Sequence, residues 1–199
     1  MKHFLLLALL LSYVSSYAQI YRVGQGASQE PVNFPRFEIS VGSGLTSASL
    51  QDPSGDTVLH DKSVADLRLL YSLNSWFSLG PTVYFSKEQD NQPLISSYKT
   101  RRLGVVGKFN LSPDTTPRSY ALLEAGAMER KISYLRSVED KATSPYLTAG
   151  LGTEVDICCG FFLGLEGRLS YFFKNEVGHF FQLKSPWDAS FAVRAGLHF

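Results

Sequence analysis

Residues 188–199, DASFAVRAGLHF, decide the fold. The odd positions Ala189, Phe191, Val193, Ala195, Leu197 and Phe199 are apolar, while the even ones, Asp188, Ser190, Ala192, Arg194, Gly196 and His198, are polar or small. A period of two predicts a β-strand with one face against an apolar medium and the other against a polar one. A strand tilted across a bilayer needs about 9–11 residues, which this stretch supplies. The sequence stops on the bare aromatic Phe199, whereas a soluble domain seldom ends flush with its last strand.

The other end agrees with a membrane destination. Met1 to Ala18 opens with Lys2 and His3, runs through Phe4-Leu5-Leu6-Leu7-Ala8-Leu9-Leu10-Leu11 and closes on Ser16-Tyr17-Ala18. A charged start, an apolar middle and a small-x-small end predict a secretory signal peptide over residues 1–18 and a mature chain from Gln19. The apolar run is too short to persist as a spanning helix, and no Cys follows the cut to carry a lipid anchor. Past that point no window of about 18 apolar residues occurs, so a membrane protein with this sequence must be a barrel.

The 199 residues carry 19 Lys and Arg against 18 Asp and Glu, a net charge of +1 with no basic block, and so no footprint for nucleic acid. Such a length suits one domain. The two cysteines are neighbours, Cys158-Cys159, which fits neither a loop-closing disulfide framework nor a spaced metal site; they read as small turn residues. No Gly-rich phosphate loop and no spaced His/Cys set occurs, so no cofactor, metal or catalytic residue is assigned.

Residues 19–36 are polar and aperiodic and predict a periplasmic lead-in to a barrel over 37–199. Alternation then predicts strands at about 37–49, 62–73, 76–87, 98–111, 119–131, 145–157, 161–173 and 188–199. The fifth is the least regular, because both of its faces are apolar from Tyr120 to Leu123. Pro81, on the apolar face of the third, cannot donate to a central ladder and hints at a local defect. Connections alternate long and short: QDPSGDTVLHD, then Asn74-Ser75; KEQDNQPLISS, then SPDTTPR; Ile132 to Ser144, then Cys158-Cys159-Gly160; and finally Lys174 to Pro186. A barrel inserted from inside the cell leaves short turns on the periplasmic side and long loops outside, which puts both termini in the periplasm. The fold class is therefore all-β, an eight-stranded antiparallel up-and-down transmembrane barrel.

Aromatic residues cluster near the strand ends, as in two interfacial girdles. Phe37, Trp76, Phe77, Phe109, Phe161 and Phe199 fall at the short-turn end, and Phe85, Tyr98, Tyr171, Phe173 and Trp187 at the long-loop end. The polar faces carry Glu38, Asp66, Arg68, Arg102, Lys108, Glu124, Glu154, Glu166, Arg168 and Arg194, mixed with Gly, Ser and Thr. In a membrane barrel they point inward. Eight strands leave room only for side chains, so these charges are expected to pair with one another in a closed lumen and not to line a pore.

With that architecture, with segments such as YLTAGLGTEVD and LLEAGAMER, and with the end AVRAGLHF, the chain over about residues 36–199 resembles the small eight-stranded outer-membrane barrels. These are the OmpA-transmembrane-domain, OmpX and OmpW type, and especially the porin-family barrels of Bacteroidetes-like bacteria. The resemblance implies an outer-membrane location, contact with outer-membrane lipids, recognition by the barrel assembly machinery through Phe199 as the assembly signal, and an extracellular partner that it leaves unknown. It specifies function weakly. A structural or surface-interaction role comes first, OmpW-like passage of small hydrophobic molecules through a lateral opening second, and a lipid-modifying enzyme last. Catalysis finds little support, since His60, His179 and His198 lack a dyad arrangement by adjacency. The aromatic last loop, FFKNEVGHFFQLKSPW, extends the neighbouring strands or offers a contact.

Overall fold

A backbone whose side chains alternate between two media must pair along its whole length, and here it does so by closing on itself. The computed structural model describes residues 37–47, 49–51, 55, 57–60, 63–88, 95–134, 138–174, 176–177 and 181–199. Residues 1–18 and 19–36, read from sequence as a signal peptide and a lead-in, lie outside them. Eight long strands make the barrel: β1 (Phe37–Thr46), β4 (Val64–Ser72), β5 (Phe77–Glu88), β6 (Ile95–Asn110), β7 (Arg118–Tyr134), β8 (Val138–Cys158), β9 (Phe161–Phe172) and β12 (Trp187–His198). Each pairs antiparallel with its neighbours in sequence, and β12 returns to β1, so the sheet has no edge.

Four short strands, β2 (Ser49–Gln51), β3 (Thr57–His60), β10 (Glu176–Val177) and β11 (Phe181–Leu183), form a second sheet in the order β10-β11-β2-β3. It joins the connection after β1 to the connection before β12, which the sequence presents as two separate loops.

The faces are those of a membrane barrel. Outward Val41 and Leu45 are 56% and 64% exposed, whereas inward Glu166 and Arg194 are 0% and 1% exposed. A soluble barrel would reverse this, because burying charge while exposing apolar surface to water is doubly unfavourable. The ambiguous stretch Tyr120 to Leu123 resolves by parity: Tyr120 and Leu122 turn inward, and with Leu70 and Val106 they form an apolar cluster in the lumen.

Two expectations change. The stretch Ile132 to Ser144 is not a long loop, because β7 and β8 stay paired from Arg118↔Glu154 out to Tyr134↔Val138, and β6 follows β7 to Ile95↔Tyr134. The strands outrun the apolar belt, and past it the outward positions turn polar (Glu129, Lys131, Glu139, Lys141), which mimics a loop in sequence. The barrel therefore has one tall wall, β6 to β8. The second change is Tyr98, which is 3% exposed and packs inside, not in the outer girdle. It shares the parity of Arg102 on the same strand.

The turns at the opposite end are tight. Asn74 Oδ1 accepts from Trp76 N–H and Phe77 N–H (2.9 and 2.8 Å), fixing the turn between β4 and β5. Cys159 and Gly160 have φ of 49° and 80°, the left-handed pair of a two-residue hairpin. A Cβ on Gly160 would also lie 2.4 Å from the His198 carbonyl oxygen. Cys158 and Cys159 are both exposed free thiols. At Pro81 the β4–β5 ladder skips: Arg68 pairs with Thr82 and Tyr71 with Leu79, with Leu69, Leu70, Gly80 and Pro81 between. On its other side Pro81 keeps register with Val105 of β6.

Candidate functional site

The lumen is the chemically dense part of the molecule, and strand parity delivers it. All ten charges expected on the polar faces are buried: Glu38, Asp66, Glu124, Glu154 and Glu166 against Arg68, Arg102, Lys108, Arg168 and Arg194. They fall into three groups along the bore.

In the middle, Arg68 of β4 holds Glu166 of β9 with two parallel bonds of 2.7 Å, the bidentate geometry that a guanidinium favours. Arg168 bonds the same Glu166 and also donates to Asp66 at 2.6 Å. Arg194 donates to Asp66 as well, to Ser40 Oγ at 3.0 Å, and lies 3.7 Å from Glu166. Tyr120 adds a hydroxyl donor to Glu166 at 2.8 Å. Three guanidiniums thus share two carboxylates: Arg168 and Arg194 each reach both Glu166 and Asp66, and Asp66 meets Arg194 over Gly42 of the intervening β1.

Toward the termini, Lys108 Nζ donates to Glu38 and Glu154, both at 2.7 Å. Arg118 joins at 3.4 Å to Glu154 and 2.5 Å to Asp156. His198 stacks on Phe162 with ring centroids 4.4 Å apart. Ligating atoms of Glu38, Glu154 and His198 converge within 4.8 Å, a set that could hold a cation, but the Lys108 ammonium already sits on both carboxylates. A depression of about 540 Å³ opens this end, lined by Lys108, Arg118, Asp156 and Cys159 among others.

Toward the far end, Arg102 bonds Asp188 at 3.0 Å and Ser170 at 3.2 Å and lies 4.1 Å from the Tyr84 ring centroid. Glu124 accepts from the Tyr146 hydroxyl at 2.5 Å. Above them Tyr98, Met128, Ile132, Tyr146, Phe172, Val177 and Leu183 form an apolar plug. Val177 and Leu183 belong to the second sheet, so the last loop folds back to complete the plug.

Glycines make room for these rings. Tyr120 lies directly opposite Gly152, Tyr146 opposite Gly126 and Phe162 opposite Gly196. A Cβ on Gly152 would meet the Tyr120 ring at 2.3 Å, and one on Gly196 would meet Phe162 at 2.6 Å.

Sequence reasoning did not include Asp188, Arg118 or Arg130 in the network. Asp188 opens the very stretch that decides the fold, and its even parity was the available signal. Arg130 is buried over the Phe172 ring at 4.7 Å and donates to the Lys174 carbonyl. Phe199 is 66% exposed and pairs through its backbone with Phe37. Of the histidines considered for catalysis, His179 lies outside the described residues, His60 contributes its backbone to β3, and His198 is part of the lumen mouth.

A closed eight-stranded ring with an apolar outside and a salt-bridged inside is an outer-membrane type of barrel. The family model of the outer membrane protein beta-barrel domain matches residues 4–199, and the chain belongs to that family, whose place is the outer membrane. Among solved structures it is similar to Neisserial surface protein A, at 12% identity and a TM-score of 0.62, over 82% of this chain and 97% of that one. It is also similar to Ail, the attachment invasion locus protein of Yersinia pestis, solved with the heparin analogue sucrose octasulfate. That likeness has 16% identity and a TM-score of 0.54, over 82% of this chain and 99% of Ail. No curated protein matches the chain.

Proposed function

We propose that this protein is a non-conducting, non-enzymatic outer-membrane barrel that serves as a structural or surface-interaction element, with its termini in the periplasm and its tall wall and second sheet outside. The observation carrying this is the filling of the bore by paired charges and, beyond them, an apolar plug partly built from the last loop. A solute path would have to break buried ion pairs, each costly to separate without solvent. A surface role is also consistent with the two similar folds, one described as a surface protein and the other as an attachment and invasion protein. Single-channel recording of the refolded protein in planar lipid tests it: no stable conductance is expected, and steady porin-sized openings would overturn the closed lumen.

One observation favours a second role, the sideways passage of small apolar molecules. The skipped ladder between Leu69-Leu70 and Gly80-Pro81 has the apolar cluster of Leu70, Val106, Tyr120 and Leu122 behind it. Uptake of a small hydrophobic dye by cells with and without the protein separates the two, since only the second role predicts a difference.

A further inference from the structure

The tall wall carries an arrangement that its fold alone does not need. Cross-strand register sets Lys87 of β5 opposite Lys99 of β6, Lys99 opposite Lys131 of β7, and Lys131 opposite Lys141 of β8. Lys99, Lys131 and Lys141 thus stand in one outward-facing row across three adjacent strands, with the Lys87 backbone in register beside them. One step toward the membrane the row reads Phe85, Arg101, Glu129, Thr143, and one step further Val83, Leu103, Ala127, Pro145. The row therefore lies just past the last apolar outward residues of each strand, at the edge of the lipid belt.

Like charges placed directly opposite destabilise a sheet, because adjacent strands hold their side chains only about 5 Å apart. Two carboxylates answer part of the charge: Glu139 bonds Lys131 at 2.6 Å, and Glu129 stands in register with Arg101. Among the described residues, Lys99 and Lys141 form no ion pair, although both are exposed. Lys99, Arg101, Glu129, Lys131 and Lys141 line a shallow cavity of about 120 Å³. A water's share of liquid volume is about 30 Å³, so the hollow has room for a phosphate-sized anion.

We propose that this hollow binds a phosphate group of a lipid headgroup in the leaflet at the far end of the barrel, with Lys99 and Lys141 as the principal cations, Arg101 beside them and Lys131 completing the row. The hollow opens sideways from the barrel, toward where headgroups lie, and this favours a lipid over a soluble polyanion. Neutralising phosphate removes the cross-strand repulsion, so the lipid acts as the missing counter-charge of the wall.

The test compares the whole protein in uncharged maltoside micelles with and without added bisphosphorylated lipid A, its dephosphorylated form, inorganic phosphate, or heparin. Lipid retention is read by native mass spectrometry and stability by the thermal midpoint. Retention of the bisphosphorylated form and a rise in midpoint are expected, with little effect from the other three. Near an anionic surface each cation contributes on the order of 1 kcal/mol, so Lys99→Gln and Lys141→Gln should each weaken retention roughly fivefold. Exposed Lys184→Gln should not. In micelles without lipid the same two variants are expected to match or exceed wild-type stability, since they remove like-charge opposition, and this separates loss of binding from loss of folding. Equal retention of the dephosphorylated form, unchanged retention in both variants, or an equal response to heparin or free phosphate would overturn the lipid-phosphate site.

Discussion

Phe199 and Phe37 exchange both of their backbone hydrogen bonds, Phe199 N–H to the Phe37 carbonyl at 2.8 Å and Phe37 N–H to the Phe199 carbonyl at 3.2 Å. The last residue of the chain is thereby a rung of the seam that shuts the barrel. Its side chain, exposed on the outer face near the Phe37–Tyr71 pair, remains available to lipid or to assembly factors.

Replacing that side chain separates its two roles. Phe199→Ala keeps the backbone rung and removes the aromatic ring. If the ring is read during assembly, as the terminal aromatics of similar barrels imply, folded heat-modifiable protein in outer membranes should fall, while refolding into micelles should change little. Equal loss in both settings would assign the ring to stability alone.

Asp66 is bonded by both Arg168 and Arg194, so its removal leaves three guanidiniums on Glu166 alone. Breaking a buried pair typically costs about 3–5 kcal/mol. Asp66→Leu should therefore lower the urea midpoint in micelles more than Arg168→Leu or Arg194→Leu, and each of these more than the lipid-facing Leu165→Ala. Should Leu165→Ala prove the most damaging, the apolar face would have to be the core.

Gly152 exists for the Tyr120 ring. Gly152→Ala brings a methyl within 2.3 Å of that ring and pushes the hydroxyl off Glu166, an overpacking worth about 1–3 kcal/mol. In a Tyr120→Leu background the same alanine should cost much less. A double-mutant cycle on urea midpoints measures the coupling, and additive effects would refute it.

The sequence carried the faces well and the pairings poorly. Period-two alternation assigns a residue to a side of the sheet using only its own strand, so Asp188 to Phe199 and the ten lumen charges could be sorted without knowing any partner. Which carboxylate meets which guanidinium depends on the shear of the closed ring; nothing local says that Asp66 of β4 reaches Arg194 of β12. Strand length was hidden for a related reason. Alternation reports the contrast between lipid and lumen, and where β7 and β8 rise past the lipid that contrast disappears though the ladder continues. Asp188 was visible by parity but sat at a strand start, where its partner Arg102 could not be inferred.

The β4–β5 seam gives a further prediction. Proline removes one donor and the β4–β5 ladder is interrupted around it, so the Leu69 amide, which faces β5, should exchange with deuterium faster than amides of the β7–β8 pair, where the ladder is continuous. Pro81→Val should slow it. Uniform protection across both seams would show that the skip carries no local weakness.

The buried ion pairs also act as a gauge for the ring itself. The outer apolar face would accept a strand slipped by two residues, since parity is kept and one aliphatic residue replaces another. Such a slip moves every inward group by about 6.6 Å, two strand rises, and Arg68 would lose Glu166, now held at 2.7 Å. A ring with one strand fewer or more would likewise bring different residues face to face across the bore. Lys108 joins β1 to β8 through Glu38 and Glu154, Arg194 and Arg168 join β12 and β9 to β4, and Arg102 joins β6 to β12. Only one strand number and one stagger satisfy all of these at once, so the charges tell the chain when it has closed correctly, information that its greasy exterior cannot supply.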